Sequence, residues 1–512
     1  MAHKGRTPLF SQVSQWLNQA HEANLAESNL TRRNFLKGSL IAGASLTSIG
    51  GLASTASAFA IPSGDKKIVI VGAGIAGLVA ADKLRRSGFN PKVYEGSNRV
   101  GGRMWSGRGL VGGNLVTEIG GEFIDSGHEQ MLKLAERFNL ELIDVQAPSE
   151  QGLREAYFFG GRHRTEAEII TAFQPIAAAV AADQDAVELN DYTDYNHRAY
   201  VIDNTPLDVY LHQVGARGWL KDLLNVAFLT EYGCETRQQS ALNLVFLLGT
   251  DTSDGFKEFG ASDQRYKIKG GNDQITTSLA NELQSCIQLG EKLTAIDKRG
   301  TGFRCTFRTS EGTHTVDADV LLLAIPFSTL RNVTINLRLP NVLKRYINEC
   351  GYGTNAKLVL GFKTRYWRGL GFSGLNFNDL PIQSGWDSSQ LQPGNIGSLT
   401  IFTGGTEGLN LANGSLASQQ TRALSFLEQM FPGARNQSNG KAFRFNWPSY
   451  EWTKGSYTCF SPGQYTSFTG AAQPVGNLFF AGEHLSFDYQ GYMEGGAVTG
   501  KEAAKAILSV IR

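Results

Sequence analysis

Cysteine and proline are both scarce in this chain of 512 residues, which has five of the first and fourteen of the second. The cysteines, Cys234, Cys286, Cys305, Cys350 and Cys459, are odd in number, far apart and without a CxxC pair. That excludes a zinc ribbon or a disulfide framework as the basis of the fold, and leaves at most one isolated bridge. An excess of charge of one sign is missing too. The formal net charge is +1, so bulk electrostatics point neither to nucleic acid nor to an anionic membrane. No apolar run has the length and hydrophobicity of a membrane span. Internal repeats are absent. Glycine is plentiful instead, with 59 residues, and it gathers in GxG and GG pairs, as it does where backbone must approach a ligand closely. A hydrophobic share of 41% and a charged share of 19% are ordinary for a soluble globular enzyme. The length suggests two domains.

Residues 1–60 read as an address. Thr31-Arg32-Arg33-Asn34-Phe35-Leu36-Lys37 resembles a twin-arginine export signal, a mildly apolar Gly/Ala/Ser-rich stretch over 38–52 follows, and Ala58-Phe59-Ala60 is a small-x-small cleavage site. The mature chain is then expected to start near Ile61, in the periplasm or outside the cell. That route exports folded proteins, which suits an enzyme that takes up its cofactor in the cytoplasm.

The β-branched run 67–71 (KIVIV) predicts a strand buried on both faces. Gly72-Ala73-Gly74-Ile75-Ala76-Gly77 follows at once, then a helix to Arg86 and a second strand, 92–95, ending in Glu95. Each glycine has a physical task. Gly72 allows the tight turn, Gly74 lets a pyrophosphate approach the backbone, and Gly77 lets helix pack on strand. The helix N-terminus offers free amides to phosphate. Glu95 is placed to accept hydrogen bonds from ribose hydroxyls and to repel a 2′-phosphate, which favours NAD or FAD over NADP.

Further strands are expected over 265–268, 320–326, 356–362 and 477–483, and a closing helix over 495–511. Helical stretches at 206–214 and 240–248 lie in a segment free of such glycine loops. The expected class is α/β. A discontinuous Rossmann-type (GR2-like) dinucleotide domain comprises 61–143, 264–337 and 450–512, and an interleaved α+β substrate domain comprises 144–263 and 338–449.

Arg99-Val100-Gly101-Gly102-Arg103 lies just after Glu95, and at this point the sequence resembles the flavin-containing amine oxidase family, in particular its bacterial monoamine and L-amino-acid oxidases. The resemblance continues in Glu118-Ile119-Gly120-Gly121, in 266–271, in 288–296 read as a nucleotide-contacting strand with Leu293, and in Leu478–Glu483 with Gly491-Tyr492-Met493-Glu494-Gly495-Gly496-Ala497. It implies FAD, held by Gly72, Gly74, Ala76, Gly77, Glu95, Arg99, Gly102, Arg103, Gly120, Gly121, Glu122, Leu293, Trp452, Gly482, Glu483, Gly491, Tyr492 and Met493. Physically, Arg103 is able to offset phosphate charge or contact the flavin.

The same resemblance implies hydride transfer from the carbon bearing nitrogen to flavin N5, giving imine, then carbonyl product, ammonia and, with dioxygen as acceptor, hydrogen peroxide. No metal and no nucleophilic triad are needed. The catalytic candidates are Lys357, which aligns with a lysine that holds a water near N5, and Tyr457 and Tyr492, whose rings flank the amine. Monoamine oxidases of animals carry a cysteine where this chain has Ser456. Serine forms no thioether, so FAD is expected to be non-covalent. Asp125 falls where polyamine oxidases place an acid against a substrate ammonium, and Glu122 and His128 add to it. An arginine found nearby in many L-amino-acid oxidases is missing. The expected substrate is a primary amine or an L-amino acid, with basic ones included. An L-amino-acid dehydrogenase passing electrons to a quinone, and a carotenoid desaturase-like FAD enzyme, are the alternatives. Expected partners are the small-molecule substrate, dioxygen and the twin-arginine export machinery, with a homodimer open as the assembly.

Overall fold

The computed structural model describes residues 66–247 and 262–511. The export signal and cleavage site expected over 1–60, and Leu248 at the end of one expected helix, lie outside these residues. The five strands of the central sheet are all parallel, in the order Ile287–Leu289, Lys92–Glu95, Ile68–Val71, Val320–Leu323 and Leu478–Phe480. Alternate residues of the first strand face two different cores. Ile68 and Ile70 pack with the helices Ile75–Arg86 and Met493–Ile511, while Val69 and Val71 pack with Leu321, Leu323 and Phe307 on the other side. Burial on both faces is what its unbroken β-branched run reflects.

Two more sheets flank this one. A four-stranded sheet in the order Thr313–Ala318, Gly302–Arg308, Lys292–Arg299 and Thr334–Asn336 covers one side. A seven-stranded sheet has Ser438–Asn446 at one edge, then Ala356–Phe362, Gly397–Thr403, Ser384–Asp387, Phe372–Asn378, Arg154–Phe159 and Arg162–Arg164. Every residue of Ala356–Phe362 is buried, Lys357 included. A helical layer containing Glu166–Ala186 and Gly218–Tyr232 packs against the strands Arg154–Phe159 and Phe372–Asn378, with Phe173, Ile176, Leu224 and Phe228 in one core with Phe159 and Phe377.

One expected element is divided. The segment 288–296 is not a single strand, because Gly290 turns the chain with φ +74° between Ile287–Leu289 of the central sheet and Lys292–Arg299 of the four-stranded sheet. The helix expected over 206–214 is Leu207–Gln213, and 495–511 begins two residues earlier, at Met493. Among the described residues no helix is long and apolar enough to cross a membrane, and no disulfide joins the cysteines.

Candidate active site

The carboxyl ends of the parallel strands open onto one cavity of about 460 Å³. Three separated stretches of chain build its floor. Gly72 follows the first strand with φ +106°, and a Cβ there would meet Ala324 O at 2.6 Å. A Cβ on Gly77 would meet Gly72 O at 1.9 Å, so this glycine is required by the turn itself. Gly74 differs, since a Cβ there has only Gly102 Cα at 4.0 Å and otherwise points into open space. That space lies at the N-terminus of helix Ile75–Arg86, where four backbone N–H groups lack intrahelical partners.

The first and last stretches are joined directly. Arg103 Nη1 donates to Glu483 Oε1 at 2.7 Å and to the Ser456 carbonyl at 3.0 Å. Glu483 also accepts from Thr458 N at 3.2 Å and, through Oε2, from Gly491 N at 2.7 Å. The pair therefore fixes the backbone of 456–458 and 491 around the cavity, and one Arg103 nitrogen is committed to protein rather than to a phosphate. Glu95 is similarly engaged: it accepts from Ala73 N at 2.8 Å and Ser97 N at 2.9 Å while still lining the cavity. Arg99 donates to the carbonyls of Val100 and Gly102 and lies 4.1 Å over the Trp105 ring.

Of the residues expected to hold the cofactor, all but Gly77 line this cavity. Met493 packs against Gly121, Trp452 against Gly96, and Leu293 closes the side formed by the four-stranded sheet. The fit to an extended dinucleotide rests on the structure's own features: the open wall at Gly74, the helix N-terminus behind it, and His484. The His484 ring is buried in the cavity wall, and among the described residues neither nitrogen has a hydrogen-bond partner. Burial pushes its pKa down to about 4, so it stands as a neutral imidazole able to exchange hydrogen bonds with a bound polar group.

The catalytic and substrate candidates come together in the same cavity. Lys357, Tyr457, Tyr492, Asp125 and Glu122 all line the same cavity. Lys357 Nζ donates to the carbonyls of Glu118 and Gly120, each at 2.9 Å, and to Glu122 Oε2 at 2.8 Å. Its three N–H groups thus have three protein acceptors. Tyr457 donates to Thr230 O at 3.3 Å. Tyr492 stands edge-on to the His128 ring at 5.1 Å. Asp125 Oδ1 accepts from Gln264 N at 3.0 Å, its own N–H is accepted by His128 Nδ1, and its Oδ2 faces His128 Nε2 at 3.3 Å. Ser456 Oγ donates to Asn355 Oδ1 at 2.6 Å, and none of the five cysteines lines the cavity.

Several lining residues were not legible as site residues. Gln264, Trp386, Phe402 and His484 all face the cavity, and among the described residues the side-chain amide of Gln264 and the indole N–H of Trp386 have no hydrogen-bond partner. Trp386 and Phe402 arrive through antiparallel pairing of Ser384–Asp387 with Gly397–Thr403, a register no local pattern reveals. His484 was within reach, because it directly follows Glu483.

Residues 75–508 match the family described as flavin containing amine oxidoreductase. An L-amino acid dehydrogenase of Synechocystis sp. is 27% identical over 468 residues, spanning 88% of this chain and 96% of that protein. A putative L-amino-acid oxidase of Bacillus subtilis is 25% identical over 466 residues, spanning 84% and 93%. Among solved structures, cyclohexylamine oxidase from Brevibacterium oxydans superposes with a TM-score of 0.76 at 22% identity, covering 87% of this chain and 99% of that one. Putrescine oxidase bound to putrescine superposes at 0.72 and 21%.

Proposed function

The chain belongs to the family of flavin-containing amine oxidoreductases, and we propose that it oxidises the carbon–nitrogen bond of a primary amine or an L-amino acid, basic ones included. The observation that carries this reading is the convergence of Tyr457, Tyr492 and Lys357 on the same cavity that the dinucleotide cradle lines. FAD, the cofactor of the family, supplies the hydride acceptor when bound. Everything else falls to the residues of this chain.

The aromatic faces of Tyr457 and Tyr492 offer a site for an amine nitrogen and exclude bulk water from it. The Tyr457 hydroxyl is held by Thr230 O, which limits its rotation. Asp125 adds a carboxyl group to a wall otherwise formed by Phe123, Trp386 and Phe402, which is why a substrate with a second cationic group is included. Lys357 clamps the backbone of 118–120 against the cavity, holding Gly120 and Gly121 at the close approach that a planar ring requires.

Under this reading the product is an imine that water converts to a carbonyl compound and ammonia, and dioxygen takes the electrons as hydrogen peroxide. A dehydrogenase passing its electrons to a quinone is the second reading; the Synechocystis relative is named a dehydrogenase, and three protein acceptors already occupy Lys357. Anaerobic mixing with a panel of primary amines and L-amino acids, read as loss of the oxidised-flavin absorbance, tests the substrate class. Silence across the panel with FAD bound would remove it. Reoxidation by dioxygen against a soluble quinone in a stopped-flow instrument decides the acceptor.

The proposal extends to address and assembly. Arg32 and Arg33 direct export to the periplasm or beyond, and replacing both by lysine is expected to leave the protein in the cytoplasm. A homodimer is the assembly proposed, and its mass in solution by light scattering checks it.

A further inference from the structure

Glu122 lies between two lysines. Its Oε1 accepts from Lys267 Nζ at 2.7 Å and its Oε2 from Lys357 Nζ at 2.8 Å. The carboxylate and Lys357 side chains are each 5% exposed, and that of Lys267 is 13% exposed. Glu122 and Lys357 line the cavity beside Gly120 and Gly121, whereas Lys267 stands behind them on the strand Tyr266–Ile268, with its ammonium 4.7 Å from the Phe123 ring centre.

Two buried ammonium groups and one carboxylate leave one positive charge, provided the neighbouring acid is neutral. Burial by itself would raise the Glu122 pKa, but the charges and hydrogen bonds of Lys267 and Lys357 outweigh it and hold it at about 2. Glu118, four residues earlier, has no lysine bonded to its carboxyl. Burial pushes it up to about 8, against the hydrogen bonds from Ser106 and the amide of Asn272. The cluster therefore carries Glu122 charged and Glu118 neutral at pH 7.

We propose that Glu122 is a charge-setting residue of the cofactor site: shared by Lys267 and Lys357, it cancels one of two buried ammonium charges and so holds down the reduction potential of the FAD bound beside it. The inference rests on the FAD reading of the cavity. Reduced flavin carries more negative charge than oxidised flavin. A buried positive charge at the site favours reduction, and a carboxylate that cancels it opposes reduction. Neither lysine alone sets the balance, because the shared carboxylate decides the sum.

The test uses the holoenzyme and the two substitutions Glu122→Gln and Lys267→Met. The equilibrium between bound FAD and a reference dye is followed as both are slowly reduced without oxygen. Glu122→Gln is expected to shift the reduction equilibrium of the flavin toward the reduced form about tenfold, which is about 30 mV upward for a two-electron couple. Lys267→Met is expected to shift it the other way by roughly threefold, since that lysine is nearer solvent. Opposite shifts support the inference. A loss of thermal stability with both potentials unchanged, or two shifts of the same sign, overturns it. If the glutamine variant does not retain FAD, Lys267→Met decides alone by its direction. A protein that takes up no FAD overturns this inference and the proposed function together. Shifted potentials in a protein that no amine or amino acid reduces would leave this inference standing and remove the proposed substrate.

Discussion

Arg103 and Glu483 are 380 residues apart in the chain and 2.7 Å apart in the fold. Their ion pair joins the loop after the first βαβ unit to the turn before the last helix, across a cavity that neither stretch encloses alone. The Glu483 side chain is 6% exposed and that of Arg103 25%, so removing one partner leaves a charge in a mostly dry place. Arg103→Ala is expected to cost about 3 kcal/mol of stability and to release FAD. Urea unfolding and the ratio of flavin to protein absorbance check the two parts.

Gly74 and Gly77 separate what the turn needs from what the cofactor needs. Alanine at 77 would drive a methyl group into Gly72 O, whereas alanine at 74 meets no protein atom closer than 4.0 Å. Gly77→Ala is therefore expected to lower the melting temperature of the FAD-free protein. Gly74→Ala is expected to leave that temperature unchanged and to weaken FAD binding more than tenfold, about 1.4 kcal/mol. An equal effect of both changes on the FAD-free protein would contradict a cofactor over Gly74.

The strands and turns that surround the cradle were legible because their signals are local. A β-branched run followed by glycine reads as a doubly buried strand whatever lies elsewhere, and Ile68–Val71 before Gly72 behaves this way. The break at Gly290 was not legible because the pairing of Ile287–Leu289 with one sheet and of Lys292–Arg299 with another is set by strands distant in the chain. The partners of Lys357 were also out of reach. Two of them are carbonyl groups 237 and 239 residues away in the chain, which leave no trace in a side-chain pattern, and the third, the Glu122 carboxylate, is 235 residues away. Arg103 and Glu483 were each recognisable, but their bond to one another was not.

The aromatic pair carries a graded expectation. Tyr457→Phe keeps the ring and loses the bond to Thr230 O, so a loss of about 1 kcal/mol in stability is expected with little change in KM. Tyr457→Ala removes the face as well, and KM for the best amine substrate should rise roughly tenfold, the worth of a cation–π contact in a desolvated site. Steady-state kinetics on the two variants distinguish a substrate wall from a packing residue. Equal KM values would place Tyr457 in the core alone.

The Ser456 hydroxyl is occupied by Asn355 and no thiol reaches the cavity wall. Precipitating the holoenzyme with acid is expected to leave the yellow colour in the supernatant. Colour retained in the pellet after washing would mean a covalent bond to some other side chain, which peptide mapping of the flavin-labelled fragment would locate.

The pH dependence of stability isolates Glu118. Its folded pKa is about 8 because burial raises it, whereas in the unfolded chain it returns to about 4.3. Between these values the folded state holds a proton that the unfolded state has lost, so the stabilisation is complete below the unfolded pKa and declines as pH rises toward 8. Glu122 acts in the opposite sense but is finished by pH 5, since its stabilisation is lost only as pH falls toward about 2. His484, with a folded pKa of about 4, gives stability that is lost as pH falls from about 6.5 toward 4, and adds nothing above. From about pH 7 to 8 this leaves Glu118 with a slope of up to ~1.4 kcal/mol per pH unit. Glu118→Gln keeps an acceptor for Ser106 or Asn272 and does not titrate. Urea midpoints at the two ends of that window should differ in the natural protein and nearly coincide in the variant. The same decline in both proteins would show that Glu118 is ionised throughout and that the slope belongs to another group.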